Sequence, residues 1–260
     1  MSLARGAIVQ LEVVHALVLR ETRTRFGAHQ LGYAWAVIES VLWIATFAVL
    51  YAVGGRQVPH GMAVIPFLAT GVLTFEMFSK TANKSAEAIN GNRALLFYPQ
   101  VQPLDLVLAR CALETSTFAA IFLVIMLGDA FMSQALPVVD DIGRVLLGLF
   151  CAAALGSSLG LVLCMLGVVY NTVERLRGPL MRPLFWVSGL FYVLADVPAS
   201  VREWQLYNPV LHCIELVRDG WFTEYDAPFA SPAYVLAWSL SLGLFGLLLE
   251  RVVRRKIELS

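Results

Sequence analysis

VLLGLFCAAALGSSLGLVLCMLGVVY, residues 145–170, runs for 26 positions without one charged side chain. An α-helix rises ~1.5 Å per residue, so roughly 20 apolar residues cross a bilayer core ~30 Å thick. Lipid offers no partner to free backbone N–H and C=O groups, which leaves a helix or a closed barrel. Nothing in the run alternates as a barrel strand of about ten residues would. The stretch is read as a buried membrane helix. Outward from it, similar runs occupy 33–53 (interrupted by Glu39), 62–78 (Glu76 near its end), 104–127, 179–195 (short, carrying Arg182) and 232–249. Together they predict an all-α integral membrane protein with six transmembrane helices. Composition agrees: 58% of residues are hydrophobic and 15% charged, against about 25% charged in soluble domains.

Lys+Arg and Asp+Glu both number 19, so no net charge points to nucleic acid. The orientation is set by where Lys and Arg lie. An even number of spans puts both termini on one face with Arg5, Arg20, Arg23, Arg25, Lys80, Lys84, Arg93, Arg175, Arg177, Arg251, Arg254, Arg255 and Lys256. The other face holds Arg56, Arg144, Arg202 and Arg218. The richer face is expected to be cytoplasmic. Residues 1–30 mix Leu3, Ile8, Leu11, Val14 and Val18 with Arg5, Glu12 and His15. That pattern suits an amphipathic helix at the membrane surface rather than a cleavable leader, or else a soluble helix packed on another subunit. The chain reads as one domain: that helix, a bundle over 33–250, and a cytoplasmic tail over 251–260.

The loops add detail. Residues 54–61 make a tight outer turn. The cytoplasmic segment 80–102 reads as helical over 84–97, with Ala86, Ile89, Leu95 and Leu96 on one side and Glu87, Asn90 and Arg93 on the other. In the long outer connection 196–231, Asn208-Pro209 is a helix start, and Val210, Ile214, Val217 and Trp221 follow at helical spacing. This predicts a re-entrant or interfacial hairpin between the fifth and sixth spans.

No enzyme signature appears. There is no GxxxxGK[ST] phosphate loop, HExxH or GxSxG, and no paired carboxylates on the cytoplasmic side for a metal ion. The four cysteines are scattered without metal or redox spacing, so neither disulfide nor metal is expected. Arg20-Glu21-Thr22-Arg23-Thr24-Arg25 precedes a span at headgroup depth. An arginine fork binds phosphate in pairs of hydrogen bonds; equally, these residues serve as cytoplasmic anchors. Trp35, Trp43, Trp186, Phe191, Tyr192, Trp204, Tyr207 and Trp221 suit stacking against sugar faces, and aromatics also favour bilayer interfaces. Charges within spans usually face a bundle interior or pathway. Glu39 is the pathway candidate, Arg110 and Glu114 a neutralising i,i+4 pair. Ala152, Gly156 and Gly160 form a close-packing stripe, internal or at a dimer seam.

Arg20-Glu21…Arg25-Phe26…Leu31-Gly32-Tyr33-Ala34-Trp35 resembles the start of ABC-2-type permeases that export polysaccharides. Leu95-Leu96-Phe97-Tyr98-Pro99, then Pro103-Leu104-Asp105 and Ala109-Arg110, resembles their coupling helix and third span. Asn208-Pro209…His212…Glu215…Arg218 resembles their outer re-entrant segment. The resemblance covers nearly the whole chain and looks most like capsular-polysaccharide export permeases of Gram-negative inner membranes. Where that family often has Pro after the tryptophan, this chain has Ser40.

The resemblance implies a homodimer docked on two copies of a cytoplasmic ATPase, which binds ATP and Mg while this chain holds no cofactor. It implies periplasmic and outer-membrane export proteins as further partners, and a lipid-linked acidic polysaccharide as cargo. The substrate path falls to Arg23, Arg25, Tyr33, Trp35, Glu39, Trp43, Trp186 and Tyr192, with Arg23 and Arg25 on the anchor phosphate. ATPase coupling falls to Lys84, Glu87, Asn90, Arg93, Leu95 and Phe97. Alternatives are a permease for O-antigen, teichoic acid or a hydrophobic drug, a membrane-embedded transferase, and a non-transporting scaffold.

Overall fold

The computed structural model describes residues 3–26, 32–55, 58–98, 100–134, 138–170 and 172–257, and among these no strand occurs. The helices are α1 (Leu3–Phe26), α2 (Gly32–Val53), α3 (Val64–Ala86), α4 (Pro103–Ser133), α5 (Ile142–Val169), α6 (Thr172–Val187), α7 (Ala199–Gln205), α8 (Pro209–Trp221) and α9 (Pro232–Ile257). Short 3-10 segments lie at Pro59–Gly61, Asn90–Phe97 and Leu194–Asp196. Among the described residues four helices, α2, α4, α5 and α9, are long and apolar enough to cross a membrane. The expected spans carried by α3 and α6 fall short of that measure. Glu76, Lys80 and Lys84 burden the first; the second is only 16 residues long and carries Glu174, Arg175, Arg177 and Arg182.

The central element is α5. Its N-terminus is capped by Asp141, whose carboxylate accepts from the Gly143 and Arg144 amides at 2.8 and 3.2 Å. Beyond the cap, small residues let neighbours approach its backbone. A Cβ on Gly156 would lie 2.6 Å from the Phe78 carbonyl oxygen, and one on Gly160 2.7 Å from Ser85 Cβ. The stripe 152, 156, 160 is therefore internal, pressed on α3. It is not a dimer seam, because α3 already occupies that face. Nearer the N-terminus of α5, Gly148 admits α8, with Val217 Cγ2 2.6 Å from its would-be Cβ. α3 is consequently the most enclosed of the expected spans, with Phe67, Leu68, Val72, Leu73, Met77 and Phe78 all buried.

α4 starts at the expected place. Pro103 takes the first helical position and Gln102 and Asp105 close a capping box, satisfying two orphan amides reciprocally. Asp105 also accepts from Gln10 Nε2 at 3.0 Å, and Arg110 pairs with Glu21 at 2.6 Å. α1 is thereby fastened along α4. Beside Glu114, its expected i,i+4 partner, which is fully buried, Arg110 thus gains a second acid from α1.

The fifth expected span ends early. α6 stops at Val187, and the chain turns at Gly189, whose φ of +79° favours glycine. Arg218 of α8 fixes the turn. Its guanidinium donates to the carbonyls of Gly189 at 2.6 Å, Leu190 at 2.7 Å and Tyr192 at 2.8 Å. It also lies 4.1 Å from the Phe67 ring centroid and 3.6 Å from Glu215. Glu215 in turn accepts from the Tyr225 hydroxyl. Burial and this neighbouring carboxylate hold the Tyr225 phenol well above its ordinary range, so it remains a donor. α8 begins as the sequence indicates, its Asn208 side chain accepting from Val210 N at 3.0 Å with Pro209 next.

Candidate functional site

α2, α3 and α6 enclose a cavity of about 560 Å³ lined by Glu39, Trp43, Val72, Phe75, Glu76, Ser79, Lys80, Gly178, Met181, Arg182, Phe185 and Trp186. Each helix contributes one stripe at three- and four-residue spacing, the periodicity of a single helical face. The cavity is graded along its length. At the end formed by the C-terminal part of α3, Lys80 Nζ lies 2.9 Å from Glu39 Oε1, and Ser40 Oγ donates to Glu76 at 3.2 Å. Arg182 adds an exposed cation there. At the other end the walls are aromatic. Trp43 stacks on Phe47 at 5.7 Å, Phe185 meets Phe75 edge-on at 5.2 Å, and Trp186 meets Phe185 edge-on at 5.4 Å.

Chemically, such a space accepts an amphiphilic guest. Ring faces suit the C–H faces of sugars, and Lys80 and Arg182 suit an anion. The Lys80–Glu39 pair is 34% and 43% exposed, so it is worth no more than about 1 kcal/mol. It is weak enough to be exchanged for a charged guest.

Of the residues expected on the substrate path, the structure brings Glu39, Trp43 and Trp186 together here. Trp35 is exposed one helical turn before Glu39, and Arg23 is exposed on α1; neither lines the cavity. Tyr192 does not line it either. Its hydroxyl donates to the Val187 carbonyl at 3.0 Å and accepts from Gln205 at 2.8 Å, bracing the turn that Arg218 holds. The side chains of Arg25 and Tyr33 lie outside those described. Sequence reasoning missed Phe75, Ser79 and Phe185, and it counted Lys80 only as a loop charge. Their spacing carried a signal, but nothing in the chain said which three helices face each other.

The expected coupling segment is not one helix over 84–97. Lys84 belongs to the last turn of α3, Glu87 caps it, and a 3-10 segment follows from Asn90. Asn92 breaks the helix, with φ −134° and ψ 27°. Its amide donates to the Ala88 carbonyl and its oxygen accepts from Arg20, both at 3.1 Å, a local bonding choice that competes with helix. The remaining polar residues face α6. Arg177 reaches Glu87 at 3.1 Å and the Asn83 carbonyl at 2.8 Å. Asn90 donates to Glu174 at 2.7 Å and accepts from Arg93 at 3.1 Å. Leu95 packs against the buried cluster that includes Leu17, Ile89 and Leu106, whereas Phe97 projects with 89% of its surface exposed. This end thus ties α1, α3 and α6 together and presents one aromatic tip.

A family model described as ABC-2 type transporter matches residues 12–222, which include every wall of the cavity and the segment just described. The chain belongs to the ABC-2 type transporter family. This ABC-2 transporter is 30% identical over 247 residues to the polysialic acid transport protein KpsM of Escherichia coli, with 95% of each chain covered. It is 25% identical over 250 residues to the capsule polysaccharide export inner-membrane protein BexB of Haemophilus influenzae, covering 96% of this chain and 94% of that one. To the O-antigen export system permease protein RfbA of Myxococcus xanthus it is 26% identical over 236 residues, covering 85% and 84%. Family membership and four apolar helices agree: the ABC-2 transporter is an integral membrane protein.

Proposed function

We propose that this chain is the permease subunit of an ATP-driven exporter that carries a lipid-linked capsular polysaccharide across the bacterial inner membrane. The observation that carries the reading is similarity to KpsM and BexB over 95% or more of the chain, so the cavity, the coupling end and the outer hairpin all fall within it. The match to RfbA covers less of both chains, which favours capsule over O-antigen as cargo. Two copies form the pathway, and each docks a separate ATPase subunit that binds ATP and Mg. Periplasmic and outer-membrane export proteins receive the glycan.

In this reading α3 and α6 also cross the bilayer, making six spans with both termini cytoplasmic. The polar end of the cavity then faces the cytoplasm, beside the coupling end, and α7 and α8 make the outer hairpin. That assignment follows the distribution of Lys and Arg, and Glu76 and Lys80 of α3 line the cavity, where Lys80 pairs with Glu39. Phe97 is the knob for a groove on the ATPase, positioned by Leu95, Glu87, Asn90 and Arg93, with Lys84 at its base. Arg23 and Arg25 bind the anchor phosphate before the glycan reaches Glu39, Trp43 and Trp186; Tyr33 and Trp35 line the approach.

The test is a chromosomal replacement scored for surface and intracellular polymer. Trp43→Ala with Trp186→Ala is expected to lower surface glycan about tenfold, the scale of two lost stacking contacts, while polymer accumulates inside. Unchanged surface glycan removes the cavity from the pathway. Loss of polymer in both compartments indicates a synthetic role instead.

A further inference from the structure

Two grooves outside this pathway meet at the N-terminal end of α3 and the C-terminal end of α4. The first, about 500 Å³, is walled by Val41, Ile44, Ala48 and Val49 of α2, Ile65 of α3 and Val124 of α4. The second, about 410 Å³, is lined by Pro66, Ser133, Trp221, Thr223 and Glu224 among others. Asp129 lines both. It makes no hydrogen bond or ion pair among the described residues.

Depth gives these grooves their meaning. Asp129 lies 26 residues beyond Pro103, about 39 Å along the helix at ~1.5 Å per residue. With the start of α4 at one membrane face, that exceeds the ~30 Å hydrocarbon and puts Asp129 among headgroups of the opposite leaflet. The apolar groove then lies at acyl-chain depth and opens to the bilayer: Val41, Val49 and Val124 are 45%, 60% and 52% exposed. The polar groove lies at headgroup depth and offers two carboxylates, Asp129 and Glu224.

We propose that these joined grooves bind one outer-leaflet phospholipid with an amine-bearing headgroup. Its acyl chain lies along α2 and its ammonium sits between Asp129 and Glu224. Charge complementarity selects the lipid. An ammonium gains a charge-assisted contact with a carboxylate, whereas an anionic headgroup without an amine meets only repulsion. Burying the chain between α2 and α4 joins the weakly enclosed α2 to the core. The proposal rests on the assignment of the C-terminal end of α4 to the outer face.

The test places the purified full-length chain in nanodiscs of equal phosphatidylethanolamine and phosphatidylglycerol and reads retained lipid by native mass spectrometry. The expected result is about tenfold enrichment of phosphatidylethanolamine, the worth of one charged hydrogen bond. Asp129→Asn with Glu224→Gln should abolish the preference. Gly128→Phe should lower retention of both lipids, since a side chain at Gly128 meets nothing within 4 Å and enters the apolar groove. Absence of enrichment, or enrichment that survives the double variant, overturns the proposal. So does a Gly128→Phe variant that retains lipid but loses self-association, which would make the groove a seat for a second copy. Orientation is read separately: Ser133→Cys should react with an impermeant maleimide from outside the cell. Labelling from inside alone overturns the topology, whatever the lipid result.

Discussion

Replacing Arg218 by Met tests what holds α8 to the turn that follows α6. Arg218 has no exposed surface, and its guanidinium serves three carbonyls at 2.6–2.8 Å as well as Glu215. Met fills much of the volume and keeps contact with Phe67 but donates nothing. The variant leaves a buried carboxylate whose described hydrogen-bond donor is Tyr225 and three carbonyls that lose their donor. Removing one partner of a buried ion pair costs about 3–5 kcal/mol, a large share of a total that is commonly about 5–15 kcal/mol. Adding Glu215→Leu removes the stranded charge but not the carbonyl deficit, so the double variant should recover part of the loss. The assay is SDS titration of tryptophan fluorescence in mixed micelles. A loss below about 1 kcal/mol for Arg218→Met would refute the reasoning by showing the guanidinium replaceable, and a double variant worse than the sum of the singles would refute it by showing that Glu215 is not the charge left stranded.

The remaining expectations are more local. Gly156→Leu drives a Cβ to 2.6 Å from a backbone oxygen of α3, so folded yield in detergent should fall sharply, while Gly128→Leu should be tolerated. A double-mutant cycle on Glu39 and Lys80 should return a coupling of about 1 kcal/mol or less in the SDS titration, because both groups are partly exposed. Arg110→Ala strands Glu21 at a contact only 15% and 14% exposed; limited proteolysis should then cut near the end of α1 at least several-fold faster. Phe97→Ala should leave stability within about 0.5 kcal/mol, as for an exposed position, yet reduce ATPase binding in a pull-down with the partner.

Much of the fold was legible because lipid makes a simple demand. α4, α5 and α9 begin within a few residues of where their apolar runs do, and Asn208-Pro209 marks the start of α8. Legibility ended where a residue's partner lies far along the chain. Arg110 has an acid four residues away, which is the pairing a sequence reader sees; that Glu21 also reaches it from α1 is visible only in the structure. Residues 188–195 are apolar enough to extend a span; Gly189 and a guanidinium from α8 bend them into a turn. Asn92 ended the helix expected over 84–97 by bonding locally, a choice that composition alone did not reveal. At the site, Glu39, Trp43 and Trp186 were legible as an in-span charge and aromatics. Arg23 and Tyr192 carried the same residue chemistry but lie elsewhere, since chemistry names a residue without naming its neighbours.

The central claim concerns vectorial movement of a glycan, and reconstitution measures that directly. Proteoliposomes holding this chain with its ATPase, loaded with lipid-linked capsular polymer on the ATPase side, should show polymer arriving at the opposite face only when ATP and Mg are supplied. Trp43→Ala with Trp186→Ala should slow arrival without preventing assembly. Polymer that stays in place while the assembled complex hydrolyses ATP would contradict the account.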